Sequence, residues 1–146
     1  MTMTTDDGSK LLAGVTMDSA TGFAQAIHAG THALVADEPP SNGGTGTGPA
    51  PYALLLSAVG ACTSITLRMY AQRKGWELGE IHAQLKMLRA ADGSERIERV
   101  LRFGAPLTDE QRARLAEIAD KTPVTKTVRA GVMITTTIGV PAASDR

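Results

Sequence analysis

The pattern of apolar and polar positions changes period several times along the chain, and each change marks a predicted element. From Leu11 to Asp37, β-branched and apolar residues are interrupted by Gly14, Gly22 and Gly30 at eight-residue intervals, as two or three short antiparallel strands joined by turns require. Pro39, Pro40, Gly43, Gly44, Gly46, Gly48 and Pro49 then crowd into one loop, which can sustain neither a ladder nor a helix. Pro51 suits the first turn of a helix, where its missing N–H has no partner to lose. That helix is predicted to run to about Lys74, with Gly75 as its left-handed cap. Leu55, Val59, Cys62, Ile65 or Thr66, and Met69 recur at three- and four-residue steps, and Leu54, Ala58 and Ala61 make the opposite side apolar too. A helix apolar all round is expected to be buried on most sides. Its charges, Arg68, Arg73 and Lys74, gather in the C-terminal third and complement the helix dipole.

Ile81, Ala83, Leu85 and Met87 alternate with His82, Gln84 and Lys86, the period-two signature of a strand with one covered face. Asp92-Gly93 signals a hairpin turn, and Ile97, Leu101 and Phe103 continue the pattern on the return strand. Thr108 with Gln111 forms a capping box, so a second helix is predicted from there, carrying Leu115, Ile118 and Ala119 and ended by Pro123 near Lys121. The β-branched run from Val132 to Ile138 predicts a final strand. This order is an α+β pattern. A central helix so apolar is hard to bury in so small a chain, and it suggests a dimer in which two sheets wrap two such helices.

Composition narrows the class. A chain of 146 residues with 42% apolar content suits one domain over residues 1–146, with enough material for a core without disulfide staples. Fifteen basic residues balance fifteen acidic ones, so no overall field draws nucleic acid or anionic lipid. The five aromatic residues, Phe23, Tyr52, Tyr70, Trp76 and Phe103, are too few for a base-stacking platform. The single cysteine, Cys62, excludes an internal disulfide and a thiolate metal cluster and fits a reducing cytoplasm. Asp6 and Asp7 stand where an export signal would carry basic residues. The uncharged stretch from Tyr52 to Leu67 falls short of the roughly 20 residues a bilayer needs, so a buried helix is expected and not a membrane span.

Cys62 has two readings. Free cysteine is usually a small buried hydrophobe; a peroxidatic cysteine instead needs its thiolate, with positive charge or hydrogen-bond donors nearby. No arginine precedes Arg68 and no acid lies between Glu38 and Glu77, so support would come from basic residues brought in by the fold, from a histidine, or from the hydroxyls of Thr63, Ser64 and Thr66. His32 and Arg68 are the candidates for that polar support. His28 and His32 would share a strand face if the chain stayed extended through Gly30. Two nitrogens fall short of a zinc site, and no metal is expected. The glycine loop from Gly43 to Gly48 lacks both the third glycine of a dinucleotide fingerprint and the Lys-Ser or Lys-Thr of a phosphate loop; it reads as a helix-entry loop, with no cofactor.

The run Ala36-Asp37-Glu38-Pro39, then Gly43 to Tyr52, Leu54 to Leu56, Gly60-Ala61-Cys62-Thr63 and Leu67 to Ala71 resembles the OsmC/Ohr family. The likeness continues through Arg73 to Trp76, Ile97-Glu98-Arg99, Arg112 to Leu115 and Lys121 to Val124, covering about residues 15–139. It implies antiparallel sheets wrapped around long buried central helices in an intertwined homodimer, with active sites at the subunit interface. It also implies reduction of organic hydroperoxides and hydrogen peroxide by a cysteine on the central helix, at the position of Cys62, which a second cysteine resolves. That second cysteine normally precedes Pro-Val-His; here the four positions are Thr122, Pro123, Val124 and Thr125. A glutamate near the start of the helix and an arginine from the N-terminal region are also replaced: Tyr52 and Ala53 stand in the first neighbourhood, and Leu11 to Asp37 contains no arginine. Two functions follow as expectations. One is a one-cysteine peroxidase of the oxidative-stress response, restored by an external thiol. The other is a non-catalytic dimer that binds a small apolar ligand at its interface. A purely structural role comes third, and no sequence feature singles it out.

Overall fold

The computed structural model describes residues 5–139. Three short strands come first, β1 (Thr16–Asp18), β2 (Gln25–Ala29) and β3 (His32–Ala36), in an antiparallel sheet of that order. Ala29 lies opposite His32, and Gly30 and Thr31 close the turn between them. After a single 3-10 turn at Pro40–Asn42, α1 runs from Pro51 to Lys74. Gly75 takes φ 69°; its N–H bonds Gln72 O at 3.3 Å while the Trp76 N–H bonds Ala71 O at 2.9 Å, the paired closure that a left-handed glycine permits.

The second sheet is the hairpin β4 (Ile81–Arg89) and β5 (Glu95–Phe103). Ile81, Ala83, Leu85 and Met87 are half-buried while His82, Gln84 and Lys86 are exposed, as the alternation predicts. α2 (Asp109–Ala119) starts on the expected box: Thr108 accepts from the Gln111 N–H, and the Gln111 side chain accepts from the Thr108 N–H.

Two expectations are corrected beyond this point. Pro123 does follow the end of α2, but it also opens α3 (Pro123–Ala130), with Thr122 as N-cap. Proline fits the first turn of a helix as well as it ends one, and the stop was the only one of its two meanings used. Residues 132–138 form no strand. The segment is β-branched enough, but a strand exists only through a ladder partner, and none of the described residues supplies one. Met133 is 89% and Ile138 90% exposed.

The chain divides into two compact units, the first running to Gly60 and including Gln84–Val100, the second comprising Ala61–Ala83 and the chain from Leu101. In the first, Ile27, Ala36 and Val59 are buried. The second has a core of Leu67, Ala71, Leu78, Leu115 and Ala119, against which Trp76, Ile81, Phe103 and Ile118 pack.

Coverage of α1 differs from expectation. Val59, Thr63, Leu67 and Ala71 are buried at four-residue steps, a single narrow stripe. Ala58, Ala61, Ile65 and Met69, on the other side, remain exposed. One chain therefore covers one face of a helix that is apolar on both. α1 runs to Lys74 as expected, and at 24 residues the whole helix is long and apolar enough, by length and composition, to cross a membrane, where the uncharged stretch to Leu67 alone falls short. Leu67 and Ala71 of this helix belong to the packed core of the second unit, and Thr63 is buried one turn before them.

Candidate functional site

Cys62 lies midway along α1, half-buried and without a disulfide partner. Its neighbours on the helix surface, three and four residues away, are Ala58, Val59, Ile65 and Thr66. Of these, Val59 belongs to the buried stripe, and Ala58 and Ile65 belong to the exposed face. The thiol therefore stands on the border between covered and uncovered sides of the helix.

The two candidates for polar support belong to different units. Arg68 is half-buried on α1 itself, six residues beyond Cys62; at about 100° per residue this points it roughly 120° away around the axis. His32 is exposed at the start of β3 in the first unit, whereas Cys62 and Arg68 belong to the second. The histidines do not share a face. Gly30 reverses the chain, so His28 lies opposite Ala33 and His32 opposite Ala29; adjacent pairs of a hairpin point to opposite sides. The condition that the chain stay extended through Gly30 is not met.

Thr122 and Thr125 close the junction between α2 and α3. Thr122 is fully buried, and its hydroxyl is 2.7 Å from the Thr125 hydroxyl and 3.2 Å from Ala119 O. The Thr122 hydroxyl is the donor in both contacts, its one proton shared between the two oxygens. A Thr122→Val variant keeps the shape and removes both bonds. It is expected to cost about 1–3 kcal/mol, seen as a lower denaturant midpoint with an unchanged slope; an unmoved midpoint would show that the pair contributes nothing.

Charges at the start of α1 were not among the expected site residues. Arg89 donates to Glu95 through Nε at 3.2 Å and Nη2 at 2.6 Å, and Nη2 also reaches the Tyr52 hydroxyl at 3.4 Å. An arginine and a glutamate thus do meet beside Tyr52, supplied by the β4–β5 hairpin. The available signal was the symmetry of the turn: Arg89 and Glu95 stand three residues to either side of Asp92. The carboxylate and the phenol both favour the charged guanidinium, and the Arg89 pKa is raised.

The loop that leads into α1 is fastened by one side chain. Asp37, 2% exposed, accepts from the hydroxyls of Thr45 and Thr47 at 2.7 Å each, from the Thr45 and Thr47 amides at 3.3 and 3.1 Å, and from the Glu38 amide at 2.7 Å. These bonds, the Thr45 hydroxyl foremost, hold its pKa far below the usual carboxylate range. Gly44 is obligatory in so tight a path, because a Cβ there would lie 1.9 Å from Glu38 O. The amides that might have cradled a phosphate therefore point at the protein's own carboxylate.

No curated protein matches the sequence. Solved structures share the fold. An OsmC-like protein from Mycoplasma pneumoniae is 18% identical with a TM-score of 0.70, covering 80% of this chain and 86% of its own. The organic hydroperoxide resistance protein OhrB of Bacillus subtilis is 25% identical with a TM-score of 0.57, covering 82% and 91%. An organic hydroperoxide resistance protein OsmC from Legionella pneumophila is 15% identical with a TM-score of 0.59, covering 82% and 90%. The family model for OsmC-like proteins matches residues 44–137, a span that takes in the end of the Asp37 loop, all of α1 with Cys62, the hairpin, and the Thr122–Thr125 junction. The chain belongs to the OsmC-like protein family.

Proposed function

We propose that the protein is a homodimeric, thiol-dependent reductase of organic hydroperoxides that uses Cys62 alone, in a reducing cytoplasm. The observation that carries this reading is the place of Cys62, the chain's only thiol, at the edge of the uncovered face of α1. The names of the B. subtilis and L. pneumophila structures point to the same substrate class. Two features favour a second copy. The apolar face of Ala58, Ala61, Ile65 and Met69 needs a cover, and residues 132–138 need a ladder partner.

The chemistry balances with a thiol of low molecular weight or from another protein. The Cys62 thiolate attacks the outer oxygen of the hydroperoxide, the S–O bond forms as the O–O bond breaks, and the alkoxide leaves and is protonated to the alcohol. One external thiol then condenses with the sulfenic acid, releasing water and leaving a mixed disulfide. A second thiolate attacks that disulfide, regenerating Cys62 and yielding the oxidised thiol. External reduction is required because the position that holds a second cysteine in the two-thiol members of the family is Thr122, whose hydroxyl cannot form a disulfide and is already engaged with Thr125.

Native mass spectrometry tests both parts. After challenge with cumene hydroperoxide in the presence of dimedone, the expected species has the mass of two chains, each carrying one dimedone adduct that maps to Cys62. A species of one chain would refute the dimer. Absence of the adduct at low peroxide would refute the redox cycle.

A further inference from the structure

We infer that a cavity in the second unit, between the end of β5 and α2, binds the anion of a medium-chain fatty acid. The cavity holds about 460 Å³, within the range of small-molecule sites. Leu101, Phe103, Leu107 and Leu115 give it an apolar floor, with Leu115 itself a member of the buried core. Arg102 and Arg112 line it as well, and no acidic side chain does.

Arg89, Arg96, Arg114 and Arg129 each lie against a carboxylate. Like Arg68 and Arg73, and unlike these ion-paired arginines, Arg102 and Arg112 have no carboxylate against them among the described residues. Arg112 is nevertheless fixed in place, because its Nη2 donates to Leu107 O at 3.0 Å on the cavity wall. That leaves its other N–H groups for a ligand. A planar carboxylate suits a guanidinium fork, and an alkyl chain suits the leucine and phenylalanine floor. An amphiphile with one anionic head and one unbranched tail matches both halves of the site. No redox step is involved, and the inference stands apart from the role of Cys62.

Decanoate and decanol, titrated calorimetrically into the full-length protein, provide the test. Saturable binding of decanoate is expected, with decanol bound about tenfold more weakly or worse, because it lacks the charge the arginines would pair. The double variant Arg102→Gln/Arg112→Gln is expected to lose about tenfold or more in decanoate affinity. Ala116→Trp, which puts an indole into the cavity from the exposed side of α2 and keeps both guanidiniums in the chain, is expected to abolish binding and serves as the deciding variant if the first fails to fold. Cys62→Ser is expected to bind decanoate as the parent does. The inference is overturned by absence of saturable binding, by equal affinity for decanol, by binding that survives Ala116→Trp, or by loss of binding in Cys62→Ser, which would place the ligand at the thiol.

Discussion

A Cys62→Ser variant is expected to consume an alkyl hydroperoxide, with excess thiol present, on the order of 10³-fold or more slowly than the parent. Serine replaces a strongly nucleophilic sulfur by a far weaker hydroxyl nucleophile, and the remaining groups then have no nucleophile to position. The exchange is close to isosteric and Cys62 is only half-buried, so the variant should fold and melt as the parent does. The parent itself should consume about one equivalent of hydroperoxide per chain when thiol is withheld, since nothing in the chain can reduce the sulfenic acid. Equal steady-state rates for parent and variant would remove Cys62 from the reaction and leave the ligand-binding reading of the interface.

The second large effect concerns Asp37. Its folded pKa lies far below the ordinary value of 3.8, chiefly through the Thr45 and Thr47 hydroxyls. A depressed folded pKa means that this carboxylate contributes its full stabilisation above the unfolded-state value and loses it as pH falls below that value toward the folded one. Asp37→Asn keeps the size but presents an amide in place of the charge that five donors address. The variant should melt well below the parent at about pH 6, and the difference between the two should shrink as the pH is lowered through about 4 toward 2. A gap that stays constant over that range would mean that the loop is held by something other than the ionised carboxylate. Because the loop ends at the first turn of α1, loosening it also frees the end of the helix that carries Tyr52.

Much of the fold was legible because single residues carry unambiguous signals. Pro51 and Gly75 bound α1 at both ends, and Thr108 with Gln111 start α2, since each names a backbone geometry or a specific hydrogen bond. Pro123 was ambiguous: the same ring that ends one helix begins the next, and the Thr122–Pro123 pair could have been read as N-cap and first residue. The final strand failed for another reason. Side-chain propensity is local, but a ladder is not, and residues 132–138 meet no ladder partner among the described residues. The site was less legible than the fold. Cys62 could be singled out by its uniqueness and by the family pattern around it. The Arg89–Glu95–Tyr52 contact depends on a hairpin returning to a helix 37 residues earlier in the chain, which periodicity alone does not locate. His28 and His32 show the converse, since even spacing puts two residues on one face only while the strand is unbroken.

The uncovered segment after α3 carries a hazard of its own. From Val132 to Ile138 it has no charge and no proline, and it is rich in Ile, Val and Thr. These are the traits of a stretch that stacks with copies of itself into fibrils when left open. If the proposed dimer forms, any event that keeps chains single, such as extreme dilution followed by reconcentration or a substitution that blocks pairing, leaves a sticky segment in solution. The same seven residues that would knit two chains together are then the seed from which many would precipitate.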